Sequence, residues 1–370
     1  MTTRKNIDTL QMIRCFAILG ICLSHTDFLL FKSLGAWGTS LFFILSGFVM
    51  TYNFFGSNKI NSVSIKDNAH FAIKKIKPLY PLYIITTLLM FCRLIIGEEA
   101  ISIHIALIRL VLNIFLMQTW LPFSDAALNG PAWFLSAIVI SYFLFPYINT
   151  YMEKKYTKRK ALCMIIVSIA LQYVICIIGS KLPSITNFEL LATPELLQEW
   201  IVYNAPISRF FDFFIGSNLS YIFINKRHDL SITIYSILEL LSIILVFVSN
   251  LVSSKLDDSV FLGEKRVIVF TFGVIVLLYA FAVGKGKISN VLTNKVTVYV
   301  GNISSCIFLI HMPIFTYIYV FIYRIPFING KTILDKYYSW IEVSIGFIIV
   351  IILSEVYIRT VRHRSYAGKK

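Results

Sequence analysis

Long apolar stretches separated by short polar loops, many of them basic, set the pattern of this chain. The first stretch, LQMIRCFAILGICLSHTDFLLF over residues 10–31, carries Gln11, Arg14, His25 and Asp27 among otherwise apolar or small residues. Nine more stretches follow, near 36–54, 79–96, 133–151, 161–179, 205–224, 231–252, 266–283, 299–323 and 337–358. About 20 apolar residues in a helix cross a hydrocarbon core of about 30 Å. The pattern therefore predicts an all-α, polytopic membrane protein with about ten transmembrane helices. An eleventh stretch, ISIHIALIRLVLNIFLMQTWL at 101–121, contains His104 and Arg109. Counting it as a crossing would move the basic run EKKYTKRK to the opposite side, so a tilted, re-entrant or interfacial helix is expected there. With no internal repeat, low-complexity linker or soluble segment in view, residues 1–370 are expected to form a single integral-membrane domain.

Composition agrees with the pattern. Of 370 residues, 57% are hydrophobic and 14% charged, and the mean hydropathy is +0.76. Such values exclude an ordinary soluble domain. The net charge of +15 could suggest nucleic acid, but membrane proteins concentrate Lys and Arg in cytoplasmic loops, and no nucleic-acid-binding module is visible. Placing both termini in the cytoplasm puts Arg4 and Lys5, the loop with Lys74, Lys75 and Lys77, EKKYTKRK, INKRHD, GKGKISNVLTNK and the tail RTVRHRSYAGKK on one face. The loop near 180–204, with Glu189, Glu195 and Glu199 but only Lys181, then falls outside. The expected location is the inner (cytoplasmic) membrane. Six cysteines, at 15, 22, 92, 163, 176 and 306, lie in or beside apolar runs without metal-type or CxxC spacing. They read as reduced packing residues, and no metal site is expected.

The candidate chemistry lies in the few polar groups at membrane depth, where ionisable residues are costly and by default mark a site. On one continuous helix, the eleven residues between Arg14 and His25 would make roughly three turns, placing both on one face ~16 Å apart. A neutral imidazole at His25 can accept a proton from an alcohol, as a general base does; a ring bonded to a backbone carbonyl is the competing reading. Arg14 can snorkel, or it can anchor a phosphate or carboxylate through its planar fork. His311 precedes Met312-Pro313, and the proline frees the carbonyl of Leu309. That combination suits either a cavity wall or a histidine bonded within the bundle. Arg209 and Asp212, three apart, are expected to neutralise each other, and Glu239 to meet a basic residue elsewhere. The stretch KKIKPLYPLY, with Lys74, Lys75 and Lys77, suits anionic lipid head groups or a polyphosphorylated donor. An Asp five residues after the histidine, as in soluble acyltransferases, is absent, since that position is Leu30. GxSxG, Walker, HExxH and dinucleotide motifs are absent as well.

Taken in order, several segments resemble the integral-membrane acyltransferase 3 family. MIRCFAILGICLSH matches its Arg-to-His opening at Arg14 and His25, and GTSLFFILSGFVM its second-span element with Ser46 and Gly47. PAWFLSAIVISYFLFP is similar to its Trp-x-Leu…Tyr-x-x-x-Pro segment at Trp133, Leu135, Tyr142 and Pro146. NAPISRFFDFFIGSNLSYIF resembles the Arg-x-x-acid element at Arg209, Asp212 and Gly216, and NISSCIFLIHMPIF the element with His311 and Pro313. Lys75 and Pro78 stand where the family commonly has two arginines, and Ile138 where some members have Glu. The resemblance implies transfer of an acyl group, commonly acetyl from acetyl-CoA, to a hydroxyl of a surface polysaccharide or lipid-linked glycan. No bound cofactor is implied, and acyl-CoA serves as donor substrate. In this reading Arg14, Lys74, Lys75 and Lys77 hold the donor, and His25 is general base with His311 as second polar wall or proton partner. Arg209, Asp212, Trp133, Tyr142 and Ser46 support them. The partners expected are acyl-CoA, a carbohydrate acceptor and membrane lipid. The alternative is a transporter or flippase for a glycan precursor, to which buried ions and a proline-broken helix are equally suited. A non-catalytic partner in a polysaccharide synthesis complex is a third reading.

Overall fold

In a computed structural model of the chain, the described residues are 7–25, 29–57, 60, 63–96, 102–122, 127–185, 197–198, 200–255, 267–324 and 334–367. The polar loop around Glu189, the N-terminal basic residues and Asp27 lie outside them. Regular structure among the described residues is helical. The helices are α1 (Asp8–Leu23), α2 (Leu29–Lys32), α3 (Leu34–Phe54), α4 (Ile65–Ile76), α5 (Tyr80–Ile96), α6 (Ile103–Ile114) and α7 (Trp133–Lys155). They continue with α8 (Lys158–Ile185), α9 (Pro206–Ile224), α10 (Ile232–Lys255), α11 (Val267–Val283), α12 (Lys287–Leu292), α13 (Lys295–Arg324) and α14 (Leu334–Ala367).

Among the described residues six helical segments are long and apolar enough to cross a membrane: Leu34–Phe54, Gly130–Lys154, Lys158–Gly179, Ile232–Ser253, Lys295–Val320 and Val343–Thr360. A seventh is possible if α4 and α5, which meet at a 65° bend, act as one broken span. The other expected spans fall on α1, with 16 residues, α11, with 17, and α9, with 19 residues that include Arg209 and Asp212. A 16-residue helix is ~24 Å long, short of the core thickness. The stretch expected to lie at an angle contains α6, only 12 residues and ~18 Å long.

The expected single helix over 10–31 is not continuous. It ends at Leu23, and Ser24 and His25 form a turn in which the Ser24 hydroxyl donates to the Ile21 carbonyl at 2.6 Å and its amide reaches Gly20 and Ile21. The His25 amide closes on Cys22. Other ends are written more plainly. Ser64 caps α4 by accepting the Asp67 amide at 3.1 Å, and Lys74 and Lys75 occupy the last turn, where cations suit the helix dipole. Asn294 starts α13, its side chain accepting the amides of Val296 and Thr297 while Thr297 Oγ1 accepts the Asn294 amide.

The centre of the bundle is held by close helix crossings. A Cβ on Gly47 of α3 would lie 1.8 Å from the Phe213 carbonyl oxygen of α9, and one on Gly216 would lie 1.8 Å from that of Ile44. At Gly301 of α13 it would meet the Gln11 carbonyl of α1 at 1.9 Å. Backbones touch only where side chains are missing, the packing logic of small residues in membranes. On the outside, α8, α10 and α14 present exposed apolar residues such as Leu162, Ile166, Ile237, Leu240, Ile348 and Ile352, which suits lipid contact.

Glu239 of α10 corrects the expectation of a basic partner. Its carboxylate accepts the backbone amides of Gly286, Ile288 and Ser289 at 3.0–3.1 Å, at the start of α12. Oriented amide groups satisfy a buried carboxylate as well as a cation does. All six cysteines are free thiols.

Candidate active site

The site is built around helix α13, which runs continuously through Pro313. Pro313 has no amide hydrogen to offer the Leu309 carbonyl. Asn129 supplies the missing donor: its Nδ2 reaches that oxygen at 2.9 Å from a fully buried position. Asn129 precedes the 3₁₀ turn Gly130–Ala132 that leads into α7, so one bond fixes the start of α7 against α13 beside His311.

His311 is fully buried. Its Nδ1 lies 3.2 Å from the Ile307 carbonyl. A carbonyl can only accept, so Nδ1 carries the hydrogen and, in the neutral ring, Nε2 keeps the free lone pair. That Nε2 is buried and has no hydrogen-bond partner. The ring beside it is His25, with centroids 5.3 Å apart and planes at 48°. Phe315 packs edge-on against both, at 6.1 Å from His25 and 5.7 Å from His311.

His25 is exposed and opens onto a cavity of about 450 Å³ that also has Ser24, Lys32, Thr39, Trp133, Tyr203, Asn204, Phe308 and Met312 in its walls. Arg209 braces the wall from behind. Its guanidinium stacks 4.4 Å from the Tyr203 ring and 5.4 Å from the Trp133 ring, and Nε donates to the Tyr203 carbonyl at 2.6 Å. The expected ion pair is present, with Arg209 Nη1 2.9 Å from Asp212 Oδ2 and both side chains fully buried. Gln172 donates to the other Asp212 oxygen at 2.8 Å. With its charges matched and most donors used, the pair is a strut under the cavity wall.

A second, smaller cavity of about 130 Å³ lies toward the α4 end. Arg14, Lys75, Ser46, Tyr142, Ser304 and Ser305 give it polar walls, and Phe42, Phe134 and Phe308 apolar ones. Arg14 Nη1 reaches Gln11 Oε1 at 3.3 Å, and Nε is buried without a partner. Lys75 is half-buried, its ammonium 4.5 Å from the Phe54 ring and 5.3 Å from that of Phe71. Lys74 and Lys77 are exposed and do not line this cavity; Lys77 instead borders an apolar groove between α4, α5, α6 and α7.

The residues singled out in the sequence therefore gather in two places. Arg14, Lys75, Ser46 and Tyr142 line one cavity, and His25 and Trp133 the other. His311 stands at the larger cavity through its contact with His25. The eleven-residue spacing did not bring this about, because His25 lies beyond the end of α1; the packing of α1 against α13 did. Asn129, Tyr203, Phe308 and the serines at 304 and 305 were not foreseen. For Asn129 a signal existed: a carbonyl freed by Pro313 in an apolar setting requires a donor, although sequence does not say which.

A family model described as an acyltransferase domain, that of the acyltransferase 3 family, matches residues 7–359. A protein named Acyltransferase MdmB, from Streptomyces mycarofaciens, is 25% identical over 228 residues, covering 57% of this chain and 56% of that protein. The chain thus matches little more than half the length of that curated relative. No solved structure matches. With the two histidines, the two basic cavity residues and the glycine crossing all inside the matched span, the chain belongs to the acyltransferase 3 family.

Proposed function

We propose that this protein is a membrane O-acyltransferase that moves an acyl group, acetyl in the first instance, from acyl-CoA to a hydroxyl of a surface polysaccharide or lipid-linked glycan. The observation that carries the proposal is the pair of cavities sharing Phe308 as a wall, one with Arg14 and Lys75, the other with His25 and, beside it, His311. Cations suit the phosphates of a CoA donor. Paired imidazoles suit removal of a proton from an alcohol. At about 130 Å³ the inner cavity is too small for a whole CoA molecule. It suits the thioester end of the arm, with the nucleotide outside, toward the lysines of α4.

In the proposed reaction His25 takes the proton of the acceptor hydroxyl while its oxygen attacks the thioester carbonyl carbon. The carbon–sulfur bond then breaks, and the proton passes from the imidazolium to the departing thiolate. His311, whose Nε2 is buried without a partner beside the His25 ring, is placed to accept an N–H of that ring once it turns toward it, and so to hold it through the proton transfer. The acceptor occupies the larger cavity, where the Trp133 and Tyr203 rings offer faces for a sugar. We place the donor side in the cytoplasm, with both termini, because the basic loops collect there.

The test uses purified protein in detergent with acetyl-CoA and a cell-envelope glycan extract. Release of free thiol that depends on the extract, with label appearing in the glycan, is the expected result. Absence of thiol release, with translocation of a labelled glycan precursor in vesicles, would replace this proposal with the transporter reading.

A further inference from the structure

Three phenylalanines from three helices pack together where the two cavities adjoin. The rings of Phe42 on α3, Phe134 on α7 and Phe308 on α13 meet edge to face, with centroids 5.5–6.5 Å apart around the trio. Phe42 and Phe134 line the inner cavity, and Phe308 lines both. Phe308 also lies one helical turn before His311, with ring centroids 6.0 Å apart. Phe308 thus separates the cationic cavity from the paired imidazoles, with Phe42 and Phe134 packed against it. We propose that this trio is a septum, with Phe308 as its moving part, which the acyl arm of the donor displaces on its way to His25 and which otherwise keeps water of the outer cavity away from the thioester.

The inference rests on the acyl-transfer reading for its purpose, but not for its geometry. Donor and acceptor enter from different cavities, so the reacting atoms meet only if something between them yields. Edge-to-face rings offer such a barrier: they exclude water, hold no hydrogen bonds that must be broken, and move by side-chain rotation. An open passage would be harmful. Water would attack the thioester carbonyl carbon, the carbon–sulfur bond would break, the sulfur would take one of the water protons, and the acyl group would leave as a free carboxylate with the second proton released to solvent. Exclusion of water from reactive intermediates is a general reason for such closures.

The experiment places a reporter in the inner cavity by Ser46→Cys and applies a membrane-impermeant cationic thiosulfonate from the His25 face of sealed proteoliposomes, scoring the residue 46 peptide by mass. With Phe308 intact, labelling is expected to be slow; with Phe308→Ala added it should accelerate about tenfold or more, as water and small solutes enter. Phe134→Ala provides the same comparison if the Phe308 variant does not fold. Equal labelling rates with and without the ring would overturn the septum. This readout does not require acyl transfer, so inactive wild-type protein would defeat the reading above and leave the septum decided on labelling alone. In active protein, Phe308→Ala should also raise acetate release without acceptor about tenfold relative to transfer; an unchanged ratio would argue against the water-excluding role.

Discussion

The rings of His25 and His311 come within 5.3 Å of each other from opposite ends of the chain, one just past α1 and the other before the proline of α13. Two imidazoles that act as a unit are not independent under mutation. Substituting either by Ala should lower acyl transfer about 10²–10⁴-fold, and the double substitution should cost little more than the worse single. Initial rates of thiol release from the four proteins check this. Losses that multiply would mean that the rings work separately.

The charge on the inner cavity separates two neighbouring lysines. Lys75 lines the cavity with Arg14, whereas Lys74 is exposed and does not. Lys75→Gln should raise the KM for acetyl-CoA about tenfold, the loss of one charge-assisted contact, with little change in kcat. Lys74→Gln should leave both near wild type. Equal effects would indicate a general attraction of the basic surface.

Asn129 is expected to act through α13. Asn129→Ala leaves the Leu309 carbonyl buried and unpaired, at a cost of about 1–3 kcal/mol. Because that carbonyl lies two residues before His311, kcat should fall more than KM rises. Thermal unfolding in detergent together with the kinetic split checks both; a stability loss with unchanged kcat would confine Asn129 to packing.

Removing one member of the buried pair, as in Asp212→Ala, should destabilise the protein by about 3–5 kcal/mol, since Arg209 would be left charged and uncompensated. The double variant Arg209→Leu with Asp212→Leu should lose less than the two singles summed. Full additivity in melting experiments would show that the pair is not coupled.

At the helix crossing, Gly47→Ala would set a methyl group against the backbone of α9. Overpacking of this kind costs about 1–3 kcal/mol, and here the obstacle is backbone that cannot rotate away. A lower yield of folded protein and a lower melting temperature are expected. Wild-type stability would mean that the two helices can separate at no cost.

Much of this was legible in the sequence, for reasons that differ by residue. The Arg209–Asp212 pair was readable because a spacing of three puts both groups on one helix face. The freed carbonyl of Leu309 was readable because Pro313 cannot donate. The end of α1 was not: LGICLSHTDF stays apolar enough to continue a helix, and the turn at Ser24 and His25 shows only in the structure. Nor was the partner of Glu239, which is a set of backbone amides far along the chain. Of the ten expected spans, six among the described residues are met by long apolar helices, whereas α1 and α11 are short and α9 carries the buried Arg209–Asp212 pair. A helix surrounded by protein can be short or carry a buried ion pair, whereas one facing lipid cannot. The cavities follow from packing of α1, α3, α7 and α13, a long-range arrangement that no local pattern encodes.

The most direct measurement is thiol release from acetyl-CoA by purified wild-type protein and its His25→Ala variant, in the presence of glycan acceptor and with folding checked by gel filtration. The account predicts acceptor-dependent release by the wild type and a loss of about 10²–10⁴-fold in the variant, the range for a missing general base. A folded His25→Ala protein that releases thiol and acylates the glycan at the wild-type rate would contradict it.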